Sequence, residues 1–145
     1  MIVVVDTNIV FSGILSPNGA ISDLLLNSSD QFDFFAPTII MDELDRHHSK
    51  LVGLSGYDED EIDFLKLMIL KKIELFDLDL VSKESWLKAV ELTKNIDVFD
   101  TPFIALCLEL KSPLWTGDQK LKRGLEKMNI DWILGTEQIK MIRDK

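Results

Sequence analysis

The chain begins MIVVVDTN, and this opening constrains the fold more than any other stretch. Ile2, Val3, Val4 and Val5 form an unbroken apolar, mostly β-branched run, the pattern of a strand covered on both faces as in a parallel sheet. An acid and two small polar residues, Asp6, Thr7 and Asn8, follow at once. They fall where a central strand ends, and in open α/β sheets ligands bind in the crevice beyond the carboxyl ends of the strands. Asp6 is therefore expected to be the first ligand of a metal site whose other acids lie downstream.

The rest of the chain alternates between helical and strand patterns. Residues 9–15 and 21–26 carry apolar side chains at helical spacing around a turn-like SPNG. Phe32, Phe34 and Phe35 make a second strand ending near Ala36. Pro37 and Thr38 then open a helix through about residue 48, with Thr38 accepting from unpaired backbone donors. Residues 53–61 read as an acidic loop, and a helix follows over 59–72 with acids in its first turn. A strand at 73–76 leads to a helix from Ser82 or Lys83 to about Lys94, which offers Trp86, Leu87, Val90 and Leu92 for packing. After a break at 95–99 come a helix over 101–110, a strand at 114–116, a helix over 119–128, a strand at 130–134 and a closing helix over 136–143. Strands and helices in alternation with short connections imply parallel βαβ units with right-handed crossovers. No repeat or linker divides the chain, so one domain over residues 1–145 is expected.

With 145 residues, 46% of them hydrophobic, the chain is long enough to bury a core. No apolar run approaches the roughly 20 residues that span a bilayer, and the N-terminus lacks the basic and apolar regions of an export signal. The lone Cys107 lies in FIALCLEL, where a thiol is a small core residue. No disulfide and a cytoplasmic location are expected. The net charge of −9 runs against general attraction to nucleic acid. It leaves room for a cleft where cations neutralise crowded acids and Lys or Arg at the rim contact a phosphate backbone.

Four acids stand where a sheet fold could gather them. Asp6 follows the first strand, Asp118 follows the strand in WTGD, and Asp100 opens the FIALCLEL helix, with Asp97 three residues before it. Glu43, in PTIIMDELDRHH, lies on the same side as the inward-facing Ile39 and Ile40. Each has an ordinary explanation: Asp100 and Asp118 as N-caps, Asp97 as a loop acid, Glu43 as a partner of Arg46 or His47, Thr7 and Asn8 as a turn. Their coincidence at strand ends and helix starts favours a site. Two carboxylates about 4 Å apart repel by about 4 kcal/mol at an effective dielectric near 20, so a shared cleft needs protons or cations. All-oxygen ligation favours Mg2+ or Mn2+, hard ions that keep several waters and engage phosphate oxygens. Phosphodiester hydrolysis suits that equipment. His47 and His48 are adjacent, point about 100° apart on a helix and form no HExxH pattern, which weighs against zinc. Lys120, Lys122, Arg123 and Lys127 follow Asp118 closely and are the candidate backbone phosphate contacts.

Taken in order, IVVVDTNI, PTIIMDEL, DVFDTPFIALCLEL and WTGDQKL resemble the PIN-domain ribonuclease family, and the spacing is similar to its small prokaryotic stand-alone members, many of them toxins of toxin–antitoxin pairs. The resemblance implies a three-layer α/β/α sandwich around a central five-stranded parallel sheet. It also implies Mg2+- or Mn2+-dependent endonuclease activity on single-stranded RNA, an antitoxin protein as partner, and a homodimer. Carried over by position, Asp6, Glu43, Asp100 and Asp118 are the acidic quartet, as metal ligands and catalytic groups. Asn8 and Thr116 are polar neighbours that orient ligands or water, and Asp97 falls at a position less regularly acidic in the family. Two rivals remain. A haloacid-dehalogenase-like phosphatase also opens with an apolar strand and an Asp, but needs a second Asp two positions on, where this chain has Asn8. A PIN-like module that binds RNA or protein without catalysis needs the fold and not the metal.

Overall fold

A computed structural model describes all residues from Met1 to Lys145. The opening run becomes β1 (Ile2–Val5), and the chain continues through α1 (Thr7–Leu15), α2 (Ala20–Asn27) and β2 (Asp33–Pro37). Next come α3 (Ile39–Arg46), α4 (His48–Ser55), α5 (Glu59–Leu70) and β3 (Ile73–Phe76). The second half holds α6 (Lys83–Thr93), a 3-10 turn (Val98–Asp100), α7 (Thr101–Leu110), β4 (Leu114–Trp115), α8 (Gln119–Glu126), β5 (Ile133–Leu134) and α9 (Thr136–Arg143).

The five strands form one sheet in the order β3-β2-β1-β4-β5, and every pairing is parallel. From β1 the chain first builds outward through β2 and β3, then returns to build outward on the other side through β4 and β5. The order of winding therefore reverses between β1 and β4, the place where the connections leaving two neighbouring strands diverge and open a crevice. Val4 lies opposite Leu114 and Val5 opposite Trp115, so Asp6 and Thr116 leave the sheet side by side.

Side-chain alternation along β1 divides the core into two layers. Val3 and Val5 join a cluster with Ile9, Leu25, Phe34, Leu51, Ile62 and Trp115, beneath α1, α2, α4 and α5. Val4 joins the opposite cluster with Phe103, Leu106, Leu114, Leu121 and Leu125, beneath α7 and α8. This is the three-layer α/β/α sandwich with a five-stranded parallel sheet that the family resemblance implied. Cys107 is a buried free thiol of the second layer, and burial pushes its pKa up.

Three local expectations are corrected. Pro37 is the last residue of β2 and Thr38 makes no side-chain cap: the Thr38 N–H donates to the Phe76 carbonyl at 3.1 Å, so this backbone belongs to the sheet. The single helix expected through residue 48 is broken at His47, which ends α3 and precedes α4, and α4 takes residues 53–55 of the expected loop at 53–61. Leu51, fully buried, holds α4 in place despite the weak helix propensity of Gly53, and Gly56 ends it at φ 77°, a left-handed conformation that suits glycine. On α6 the buried pair is Ala89 and Thr93, whereas Leu87 and Val90 are exposed. Small side chains let α6 approach α7 closely, and the Thr93 and Thr101 hydroxyls meet across the contact at 2.6 Å. No single helix is long and apolar enough to cross a membrane.

Candidate active site

The crevice between the ends of β1 and β4 opens into a cleft of about 320 Å³ whose lining includes Asp6, Glu43, Asp100 and Asp118. Four acids from four separate stretches of sequence thus share one concave surface. Each is placed by an identifiable local cause.

Asp6 ends β1 and caps α1, and its side chain is almost wholly buried. One carboxylate oxygen accepts from the Thr7 N–H at 2.8 Å; the other accepts from the Thr116 hydroxyl at 2.6 Å and the Asn8 amide at 3.2 Å. Asn8 also donates to the Thr116 hydroxyl at 3.4 Å, so both polar neighbours hold the carboxylate in one orientation. Asp118 caps α8 by accepting from the Leu121 N–H at 3.1 Å, and its own N–H donates to the Thr116 hydroxyl at 3.1 Å. The cap reading of Asp118 is correct and coexists with its place in the cleft. Glu43 stands on α3 beside the buried Ile40 and Leu44, and it forms no ion pair with Arg46 or His47.

Asp100 ends the 3-10 turn and enters α7 without acting as a side-chain cap. Its Oδ2 is buried with no hydrogen-bond partner. Burial first, then the charges of Asp6, Asp118, Asp97 and Glu43, push its carboxyl up to about 7. Asp6 is likewise raised to about 6, chiefly by burial; the hydrogen bonds from Thr116 and Thr7 oppose this, and the charges of Glu43 and Asp118 add to it. Asp97 is not part of the lining. It accepts from the Phe99 N–H at 2.9 Å, shapes the turn that delivers Asp100, and adds its charge from outside.

The donor set is oxygen throughout, Asp100 Oδ2 has no hydrogen-bond partner, and burial first, with neighbouring acids after it, raises the carboxyls of Asp6 and Asp100 toward neutrality. Those features fit a hard divalent cation. No three His, Cys, Asp or Glu side chains surround a common point as direct ligands. An ion held by one or two carboxylates with water completing its shell, the usual habit of Mg2+, is the form this cleft fits.

A PIN-domain family model matches residues 4–141. The chain belongs to the PIN-domain family. Among curated proteins none matches it. Among solved structures it is similar to a chain in the crystal structure of VapBC2 from Rickettsia felis bound to a DNA fragment from their promoter, with 18% identity, a TM-score of 0.67, and coverage of 93% of this chain and 97% of that one. At that identity the likeness is one of fold.

Within this PIN fold the remaining expectations sort clearly. Lys120, Lys122 and Arg123 do not line the cleft, and Lys122 donates to Gln138 at 2.9 Å. The two histidines part company: His47 lines the cleft, and His48 lies 2.7 Å from the buried Lys66. Sequence reasoning missed Phe11, Ser12, His47 and Lys50 as cleft residues. For α1 the signal was present as spacing, since Asn8, Phe11 and Ser12 fall at three and one residues on one helical face. Glu43 and Lys50 lie on different helices separated at His47, so their meeting could not be read as a single face. A larger hollow of about 710 Å³ lies at the opposite end of the sheet, by Pro113 and Trp132 where β4 and β5 begin. There the Ser82 N–H and the Ser85 hydroxyl both donate to Glu109, and the four acids gathered at the switch point are found only in the smaller cleft.

Proposed function

We propose that the cleft is the active site of a divalent-cation-dependent endoribonuclease that hydrolyses phosphodiester bonds of single-stranded RNA. The observation that carries this reading is the convergence of Asp6, Glu43, Asp100 and Asp118 at the switch point of the sheet, with Asp100 Oδ2 buried and unpartnered. Asp6, Asp100 and Asp118, with Glu43 completing the set, are the residues that would hold Mg2+ or Mn2+, directly or through water. Such an ion supplies positive charge to a phosphate group that four carboxylates would otherwise repel.

The chain's own groups divide the remaining work. Hydrolysis requires that water lose a proton as its oxygen bonds to phosphorus, and that the departing oxygen gain one. Glu43, unpaired and facing the cleft, is placed to accept the proton of the attacking water. Asn8 and Thr116 keep Asp6 from rotating, so that its outward lone pairs stay aimed into the cleft. Phosphoryl chemistry of the phosphatase kind is not favoured, because Asn8 is occupied in bonding Asp6 and carries no exchangeable acid proton.

Fold likeness to VapBC2 supports a role as the toxin of a toxin–antitoxin pair with an antitoxin protein as partner; a homodimer and a cytoplasmic location are proposed with it. The absence of three ready-made ligands favours, as second reading, a PIN-like module that binds RNA or protein without cleaving. One experiment separates them. Cleavage of a labelled single-stranded RNA in Mn2+ is expected for the wild type and is expected to fall by about a hundredfold or more in Asp6→Asn and in Glu43→Gln. Unchanged rates in both variants would defeat the assignment. No cleavage together with no Mn2+ uptake by calorimetry would establish the binding module.

A further inference from the structure

Besides the four acids, the cleft lining holds an aromatic and basic group, Phe11, His47 and Lys50. Phe11 stands on α1 one turn beyond Asn8, half-buried, its inner edge packed against the core beneath α1. His47 meets its ring edge-on at 6.3 Å and 90°, and the Lys50 ammonium sits over the ring at 5.7 Å. Lys50 is the single Lys or Arg in the cleft lining. On a chain of net charge −9, whose basic residues after Asp118 lie elsewhere, that ammonium is the chain's own charge best placed for a phosphate entering the cleft.

We propose that Phe11 is the platform on which an unpaired base stacks beside the scissile phosphate, and that Lys50 holds the neighbouring backbone phosphate. The proposal rests on the reading of the cleft as a ribonuclease site and names what positions the strand there. Three physical points carry it. A phenyl ring packed against the core and lining the cleft offers a π-surface to any base once the ammonium over it moves aside, and aromatic stacking is how splayed single strands are held. A cation over a half-exposed ring is bound weakly, so Lys50 can exchange the ring for a phosphate oxygen at little cost. Pairing also sets the substrate class: a base in a duplex has its faces covered by its stacked neighbours, so only an unpaired base can lay a face on the ring. Phe11 and Lys50 are thus positioning residues, and sequence tolerance follows, because every base has a π-face.

The test measures binding of a fluorescein-labelled single-stranded RNA by anisotropy in Ca2+, and cleavage of the same strand in Mn2+. Phe11→Leu, which keeps the packing volume, is expected to weaken binding about tenfold, and Phe11→Tyr to restore it within about twofold. Lys50→Gln, at an exposed position that leaves the fold untouched, is expected to weaken binding several-fold and reduce the slope of log affinity against log salt by about 0.7. Both losses are expected in KM rather than kcat, and absent with the duplex. Variants that melt like wild type yet bind the strand within twofold overturn the platform, as does an equal effect on duplex. If wild type cleaves while both variants keep its KM, the nuclease reading stands and this inference falls. If the strand binds through Phe11 and Lys50 but no cleavage occurs, the inference stands and the nuclease reading falls.

Discussion

Asp100 shows how a single carboxyl can be unfavourable for the fold. An ordinary aspartate ionises near 3.8, and this one is lifted to about 7 by burial and by the charges of Asp6, Asp118, Asp97 and Glu43. Because the folded protein holds this proton more tightly than the unfolded chain, the contribution of Asp100 to stability is greatest below about 4 and declines as pH rises toward 7; Asp6, raised to about 6, adds to the same slope. Without divalent ions the melting temperature is therefore expected to fall between pH 5 and pH 8, and a thermal-melt series that is flat or rising would contradict the raised values. Asp100→Asn removes the charge without costing Oδ2 a hydrogen bond, since it has none. It is expected to stabilise the metal-free protein at pH 7.5 and to flatten the pH dependence, measured by denaturant titration at pH 5 and at pH 7.5. Addition of Mn2+ is expected to raise the melting temperature more at pH 8 than at pH 5, as Asp6 and Asp100 are largely ionised only at the higher pH.

At the scale of elements, two packing contacts hold the acids in register. α8, capped by Asp118, presses against the segment that leads to Asp100: a Cβ added at Gly124 would lie 2.6 Å from Ile96 Cδ1 and 2.9 Å from its Cγ1. Gly124→Ala is expected to cost about 1–3 kcal/mol by overpacking, read as a drop in the denaturation midpoint, and to lower cleavage further than stability alone accounts for, because it displaces Asp100 relative to Asp118. On the other side, α4 carries Lys50 to the cleft and is held by the fully buried Leu51. Leu51→Ala is expected to cost about 2–5 kcal/mol, with faster amide exchange in α4 than in α7. The buried Lys66, 2.7 Å from His48 and 3.9 Å from Asp45, ties α5 to the same corner.

For the whole molecule, the site is a product of topology. The order β3-β2-β1-β4-β5 puts the ends of β1 and β4 side by side, and the crossovers carry α3 and the 3-10 turn to the same edge. Much of this was legible in the chain alone. IVVV followed by DTN marks a buried parallel strand ending in polar residues because a strand covered on both faces has no polar positions until it leaves the sheet. Apolar periods set the helices at 83–93, 101–110 and 136–143 nearly to the residue. Residue type, too, marked the quartet, since acids at strand ends and beside a core stripe are costly without a purpose. What the chain could not reveal depends on distant partners. Whether residues 53–55 are loop or helix is decided by the burial of Leu51, and which face of α6 is inward by the fit of Ala89 and Thr93 against α7. That Lys50 rather than Lys120 or Arg123 faces the acids follows from where α4 turns after His47. Local sequence determines strand, helix and charge through the backbone's own periodicities; only the folded chain decides which charges meet, because that proximity is set by packing between segments that lie far apart in sequence.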